Sequence, residues 1–182
     1  TASSWNVRSQ ASTVAVKPNG FWLNANDTWF GPTDLCFGPD GAVYVSDFHD
    51  RRTAHPDPDA RWDRSNGRIY RVQGTAARSV PPVDVVSLPS RGLVKLLSHP
   101  NGWYADRARV EMFRRKDKSI VPGLKAMARR RDDRRMALQG LWAVNASGGL
   151  DREFAIEMLS HADAWVRLWT VRLLGDDLKI PP

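Results

Sequence analysis

Near Pro81 the spacing of apolar residues changes from every second position to every third or fourth. Alternation by two suits a strand that buries one face, and spacing by three and four suits one face of a helix. A chain that keeps the two patterns in separate halves cannot be one helical bundle or one continuous sheet. An α+β architecture in two parts is expected, with antiparallel strands first and helices after.

The strand half turns on Pro39-Asp40-Gly41. Proline presets φ, aspartate bonds its own backbone, and glycine accepts a positive φ. The runs on either side, Asp34–Gly38 and Ala42–Ser46, are apolar, β-branched and aromatic, and predict a hairpin. A polar loop from Asp47 to Asn66 comes next, then Asn66-Gly67 and a third strand over Gly67–Val72. Upstream, Thr13–Val16 and Phe21–Leu23 are weaker strand candidates separated by Pro18-Asn19-Gly20. A sheet this small needs neighbours to cover its faces.

Beyond Pro81 the chain reads as helices. Leu93, Leu96 and Leu97 share one face. A helix is expected from Trp103 to Phe113 behind an Asn101 cap, and another opens at Ile120 with Pro122 in its first turn. Three more are expected: Asp133 to Val144, Leu150 to Leu159, and Asp163 to Leu174 with Gly175 as the stop. Leu97-Ser98-His99 recurs as Leu159-Ser160-His161, and Asp133-Arg134-Arg135-Met136-Ala137 aligns with Asp163-Ala164-Trp165-Val166-Arg167. Three helical pairs of about 31 residues are expected, each stacking on the next to bury its apolar face. The expected boundaries are a strand region over 1–74, a Pro/Ser linker over 75–90, helical repeats over 91–176 and a tail over 177–182.

Charge and cysteine content narrow the function classes. The formal charge is +7, with 27 Lys and Arg against 20 Asp and Glu. The excess lies in residues 103–135, where 12 basic residues face 5 acidic ones. No nucleic-acid motif accompanies the cluster, so a solvated helix face or a docking surface is expected rather than a nucleic-acid site. The lone Cys36 rules out an internal disulfide, a cysteine-based zinc site and a Cys-x-x-Cys-His haem attachment. No apolar run approaches the ~18–20 residues that a membrane helix needs. The chain opens at Thr1 in mid-pattern, as a piece of a longer protein would.

The loop after Val45 carries the densest chemistry: Asp47, His49, Asp50, Arg51, Arg52, His55, Asp57, Asp59 and Asp63. Asp47, His49 and His55 are the candidate metal ligands, since mixed nitrogen and oxygen donors suit zinc or a similar ion. The competing reading is that Asp47 closes a strand and the rest is surface pairing. Arg51 and Arg52 match no motif and receive no role. His99 and His161 recur at equivalent places, which makes them structural, and the tryptophans of the helical half are expected in its core. Neither a hydrolase triad nor a Gly-rich phosphate loop is legible.

Phe37–Asp47 followed by Gly67–Val72 resembles a β-propeller blade, most closely the last blade of six-bladed propellers of the soluble glucose/sorbosone dehydrogenase type. Trp29-Phe30-Gly31-Pro32-Thr33-Asp34, Tyr44-Val45-Ser46-Asp47 and Leu96-Leu97-Ser98-His99-Pro100-Asn101-Gly102-Trp103-Tyr104 extend the likeness. Together they resemble the large membrane-bound-dehydrogenase proteins of planctomycetes, in which a propeller precedes HEAT-like helices. Asp163-Ala164-Trp165-Val166-Arg167 is similar to the Asp-x-x-Val-Arg pattern of HEAT repeats. The resemblance implies a C-terminal propeller blade followed by an α-solenoid, in a periplasmic or cell-envelope oxidoreductase. It also implies pyrroloquinoline quinone and calcium in the full-length parent, and a protein partner or electron-transfer domain on the helical repeats. The alternative is a non-catalytic interaction module with a basic helical surface.

Overall fold

A computed structural model describes residues 2–10, 13–49, 65–74 and 82–176, with side chains from residue 23 onward. The chain divides into two compact units, Thr1–Pro81 and Pro82–Pro182. The fold is mixed α+β.

The first unit holds two antiparallel sheets among its described residues. Strand β1 (Ala2–Gln10) pairs with β2 (Thr13–Leu23). The two upstream candidates are therefore one strand. Pro18-Asn19-Gly20 does not break it, because the register slips between Ser3/Phe21 and Trp5/Pro18 and absorbs the segment as an irregularity. Strand β1 alternates apolar residues only at Trp5 and Val7, too short a run to single it out, and it pairs with β2 along its length.

Strands β3 (Pro32–Phe37), β4 (Val43–Asp47) and β5 (Arg68–Val72) form the second sheet in that order, and it is not closed. Val45 stands opposite Leu35 on one side and Tyr70 on the other. It is wholly buried, as is Ala42. Phe30 meets Tyr70 edge to face at 5.6 Å. The turn rests on Asp40, whose carboxylate accepts the Ala42 amide at 3.1 Å, the Tyr44 hydroxyl at 3.1 Å and the Arg71 guanidinium at 2.7–2.8 Å. Gly41 sits at φ +75°, the left-handed conformation the turn requires. Leu35 and Phe37 remain about half exposed on the face that carries Val45.

Among its described residues the second unit has six α-helices in three hairpins, α1 (Ser90–Leu96) with α2 (Gly102–Arg115), α3 (Val121–Ala128) with α4 (Arg134–Ala146), and α5 (Arg152–Leu159) with α6 (Ala164–Gly175), and a short 3-10 turn over Lys118–Ile120 leads into α3. The first helices begin 31 residues apart, at Ser90, Val121 and Arg152. Each long helix starts behind a side-chain cap: Asn101 accepts from Trp103, Asp133 from Met136 and Asp163 from Trp165. The long helices line up, α2 on α4 and α4 on α6. Leu93, Leu97, Leu124, Leu141 and Val144 are wholly buried in one continuous core. Gly140 lets α3 and α4 approach closely, since a Cβ there would lie 2.5 Å from the Ala128 amide nitrogen.

Residues 82–89, part of the segment that composition assigns to a linker, lie on this helical unit. Val85 is buried, and the Arg115 guanidinium donates to the carbonyls of Leu88 at 2.6 Å and Val86 at 2.7 Å. Among the described residues no helix is long and apolar enough to cross a membrane.

Candidate functional site

The C-terminal end of β4 gathers the most unusual polar chemistry of the first unit. Asp47 is the last residue of the strand, and its side chain is completely buried. Its Oδ1 accepts the amides of Gly31 at 2.9 Å and His49 at 2.8 Å. The Phe48 amide donates to the Gly31 carbonyl at 2.9 Å, so the chain leaving β4 is fastened to the chain entering β3. His49 then turns at φ +46°, a left-handed conformation uncommon outside glycine.

That turn brings the His49 imidazole back over the strand end. Its Nδ1 lies 3.6 Å from Asp27 Oδ2 and 3.8 Å from Asp47 Oδ2. Both distances exceed hydrogen-bond length. The Trp29 ring lies 5.7 Å from the imidazole, tilted by 44°. Asp27 is fixed in turn by accepting the Trp29 amide at 2.9 Å. Asp47 Oδ2 and His49 Nδ1 are both buried without a hydrogen-bond partner. Buried orphan atoms are rare because each carries a desolvation cost of about 1–3 kcal/mol. A carboxylate lone pair and an imidazole nitrogen 3.8 Å apart suit a shared proton or, with further donors, a cation.

Of the sequence candidates, Asp47 and His49 come together here. His55, with Asp50, Arg51, Arg52, Asp57, Asp59 and Asp63, lies outside the described residues. Asp27 was not legible: it sits twenty residues upstream, and no spacing pattern links it to the loop. Among the described residues no group of three or more His, Cys, Asp or Glu side chains is placed to hold a metal ion.

In the helical unit the basic cluster is largely engaged from within. Lys116 and Lys118 donate to carbonyls at the end of α4: Ala146 at 2.9 Å, Ser147 at 3.2 Å, and Gly148. Cations suit a helix C-terminus, where carbonyls lack partners and the dipole is negative. Arg129 makes a two-point bond to Glu157 at 2.6 and 2.8 Å, Lys125 pairs with Asp151, and Arg134 pairs with Asp163. Arg109 bonds Gln139 and Asp106, and Arg135 reaches the His99 carbonyl at 2.9 Å. The excess charge of residues 103–135 thus ties one hairpin to the next.

These pairs move the carboxyls. The Arg129 guanidinium holds Glu157 below its ordinary range, and Lys125 does the same for Asp151. At Asp163, burial pushes the pKa upward, but the Arg134 bond and the α6 amides outweigh it and the net shift is downward. His99 and His161 play matching structural parts: each Nδ1 accepts the amide two residues on, at Asn101 and Asp163, at 3.0 Å.

Residues 6–76 match a family described as a domain of unknown function, DUF7133. The match covers less than half of the chain and takes in Asp27, Asp47 and His49. No curated protein and no solved structure matches the chain.

Proposed function

We propose that the chain is the C-terminal part of a propeller-type oxidoreductase of the glucose/sorbosone dehydrogenase-like kind. The β3–β4–β5 sheet serves as one blade, and the helical hairpins form a HEAT-like solenoid that docks a protein partner or an electron-transfer domain. The observation that carries this reading is the unfinished sheet. Val45 is buried at its centre while Leu35 and Phe37 beside it stay half exposed, the pattern of a sheet built to be covered by a neighbour. The 31-residue spacing of the hairpins and the alignment of α2, α4 and α6 support the solenoid. Asp47 and His49, with Asp27 beside them, are the side chains of this blade proposed to face a ligand, and Asp47, His49 and His55 remain the proposed metal set.

The alternative, a non-catalytic module with a basic docking face, is the weaker reading because so many of the cluster's cations are bound within the helical unit. The test is oxidation of an aldose with an artificial electron acceptor, pyrroloquinoline quinone and calcium. The full-length protein is expected to turn over and this chain alone is not. No turnover by the full-length protein across an aldose and alcohol panel would remove the proposal, as would robust turnover by these 182 residues.

A further inference from the structure

The caps of the three long helices supply a common origin for comparing the hairpins. Eleven residues beyond the cap stand Met112 in α2, Val144 in α4 and Leu174 in α6. Met112 and Val144 are buried, at 1% and 0% exposure, whereas Leu174 is 46% exposed. Eight residues beyond the cap, Leu141 in α4 is wholly buried and Val171 in α6 is 61% exposed. Leu168, equivalent to Leu138, is half exposed as well. The first helices repeat the contrast. Lys125, four residues into α3, pairs with Asp151 of the third hairpin and lies 4.9 Å from the Phe154 ring centre. Its equivalent in α5, Ile156, is exposed. The third hairpin thus presents, uncovered, the positions at which the second is covered.

The exposed face is also electrically quiet. Helix α6 contains no acidic residue. Of its two arginines, Arg167 donates to the carbonyls of His161 at 2.7 Å and Ala162 at 2.9 Å, and Arg172 lies 4.8 Å from the Trp169 ring centre. Both cations are held by their own hairpin, and beside Ile156 the exposed Arg152 and Glu153 of α5 carry one charge of each sign, so the face has no strong excess of charge to select an acidic segment or a polyanion.

We infer that the face bearing Ile156, Leu168, Val171 and Leu174 is a docking site for one further helical hairpin of the same build. The occupant is set by continuity with the interface between the second and third hairpins. There α6 packs on α4, and Trp169 meets Trp142 edge to face at 5.0 Å. An antiparallel helix pair with an apolar contact side fits the same face one step on; the position equivalent to Trp142 is Arg172 there, so an aromatic at the place of Trp169 would meet a guanidinium instead of a second indole. A helical pair of this kind is only half buried by a single neighbour, which is why stacked repeats share stability across interfaces. The inference rests on the solenoid reading of the hairpins and is independent of the redox reading.

The test appends a second copy of Ser147–Asp176 directly after Asp176 of the full chain, in place of the last six residues. Amide hydrogen exchange in α6 is read with and without the extension. Docking predicts about tenfold or greater slowing of α6 exchange, because opening α6 then also breaks the new interface. Val171→Glu in the extended chain is expected to abolish the gain. In the unextended chain the same substitution leaves α6 exchange unchanged, because Val171 is exposed there. Leu168→Glu provides a second reading of the same face. Unchanged α6 exchange on extension, or a gain that survives both glutamates, would overturn the proposal. So would an unextended chain that sediments as a dimer dissolved by Val171→Glu, since a second copy would then be the occupant.

Discussion

At Asp47 one oxygen is committed and the other is not. Oδ1 holds the Gly31 and His49 amides, while Oδ2 is buried with nothing bonded to it. Substitutions separate the two roles. Asp47→Ala strands both amides and is expected to cost about 1–3 kcal/mol, while Asp47→Asn keeps an acceptor at Oδ1 and is expected to cost about 1 kcal/mol or less. Hydrogen exchange at the Gly31 and His49 amides, with urea unfolding, checks this; equal effects of the two variants would contradict it. The metal proposal is tested at the same scale. If Asp47, His49 and His55 ligate one ion, calorimetry shows one-to-one zinc binding that disappears in both His49→Gln and His55→Gln. Binding that survives His49→Gln excludes His49 as a ligand. Asp47 and His49 were legible in the sequence because strand and loop chemistry coincide there. Asp27 was not, because only the left-handed turn at His49 folds the imidazole back toward it.

Elements in the helical unit are joined by carboxyls that titrate low. Glu157, Asp151 and Asp163 each have a folded pKa below the ordinary value, held there by Arg129, Lys125 and Arg134. A depressed carboxyl contributes stability that is present above the unfolded pKa, about 4, and is lost as pH falls through the folded value. Helix content followed by circular dichroism should therefore hold above pH 4.5 or so and decline below it. A Glu157→Gln/Asp151→Asn variant is expected to start lower and show a shallower acid decline. A decline of equal slope in the variant would contradict the assignment. Packing sets a second expectation. Leu141→Ala empties a fully buried position and should cost about 2–5 kcal/mol, while Val171→Ala, at the equivalent exposed position, should cost about 0.5 kcal/mol or less. Thermal unfolding of the two variants decides it.

For the whole molecule, the division was readable because two incompatible periodicities meet at one place, and the units divide between Pro81 and Pro82. The hairpin around Pro39-Asp40-Gly41 was readable because the turn chemistry is local. Helix starts at Asn101, Asp133 and Asp163 were readable for the same reason. Strand β1 and the continuity of β2 were hidden, since the alternation in β1 is too short to single it out and Pro18-Asn19-Gly20 reads as a break in β2. The destination of the basic cluster was hidden too: a count of charges does not say that Lys116 and Lys118 reach carbonyls at the end of α4. The sheet carries the expectation that belongs to the molecule as a whole. Its half-exposed Leu35 and Phe37 belong to a blade in the proposed account, and a blade is covered in its parent.

A crystal or cryo-electron microscopy structure of the protein encoded by the full gene tests that most directly. The account predicts a closed ring of blades in which β3, β4 and β5 form one blade and Leu35 and Phe37 are buried against the next. A parent in which this sheet stands alone, with both side chains still in solvent, would contradict it.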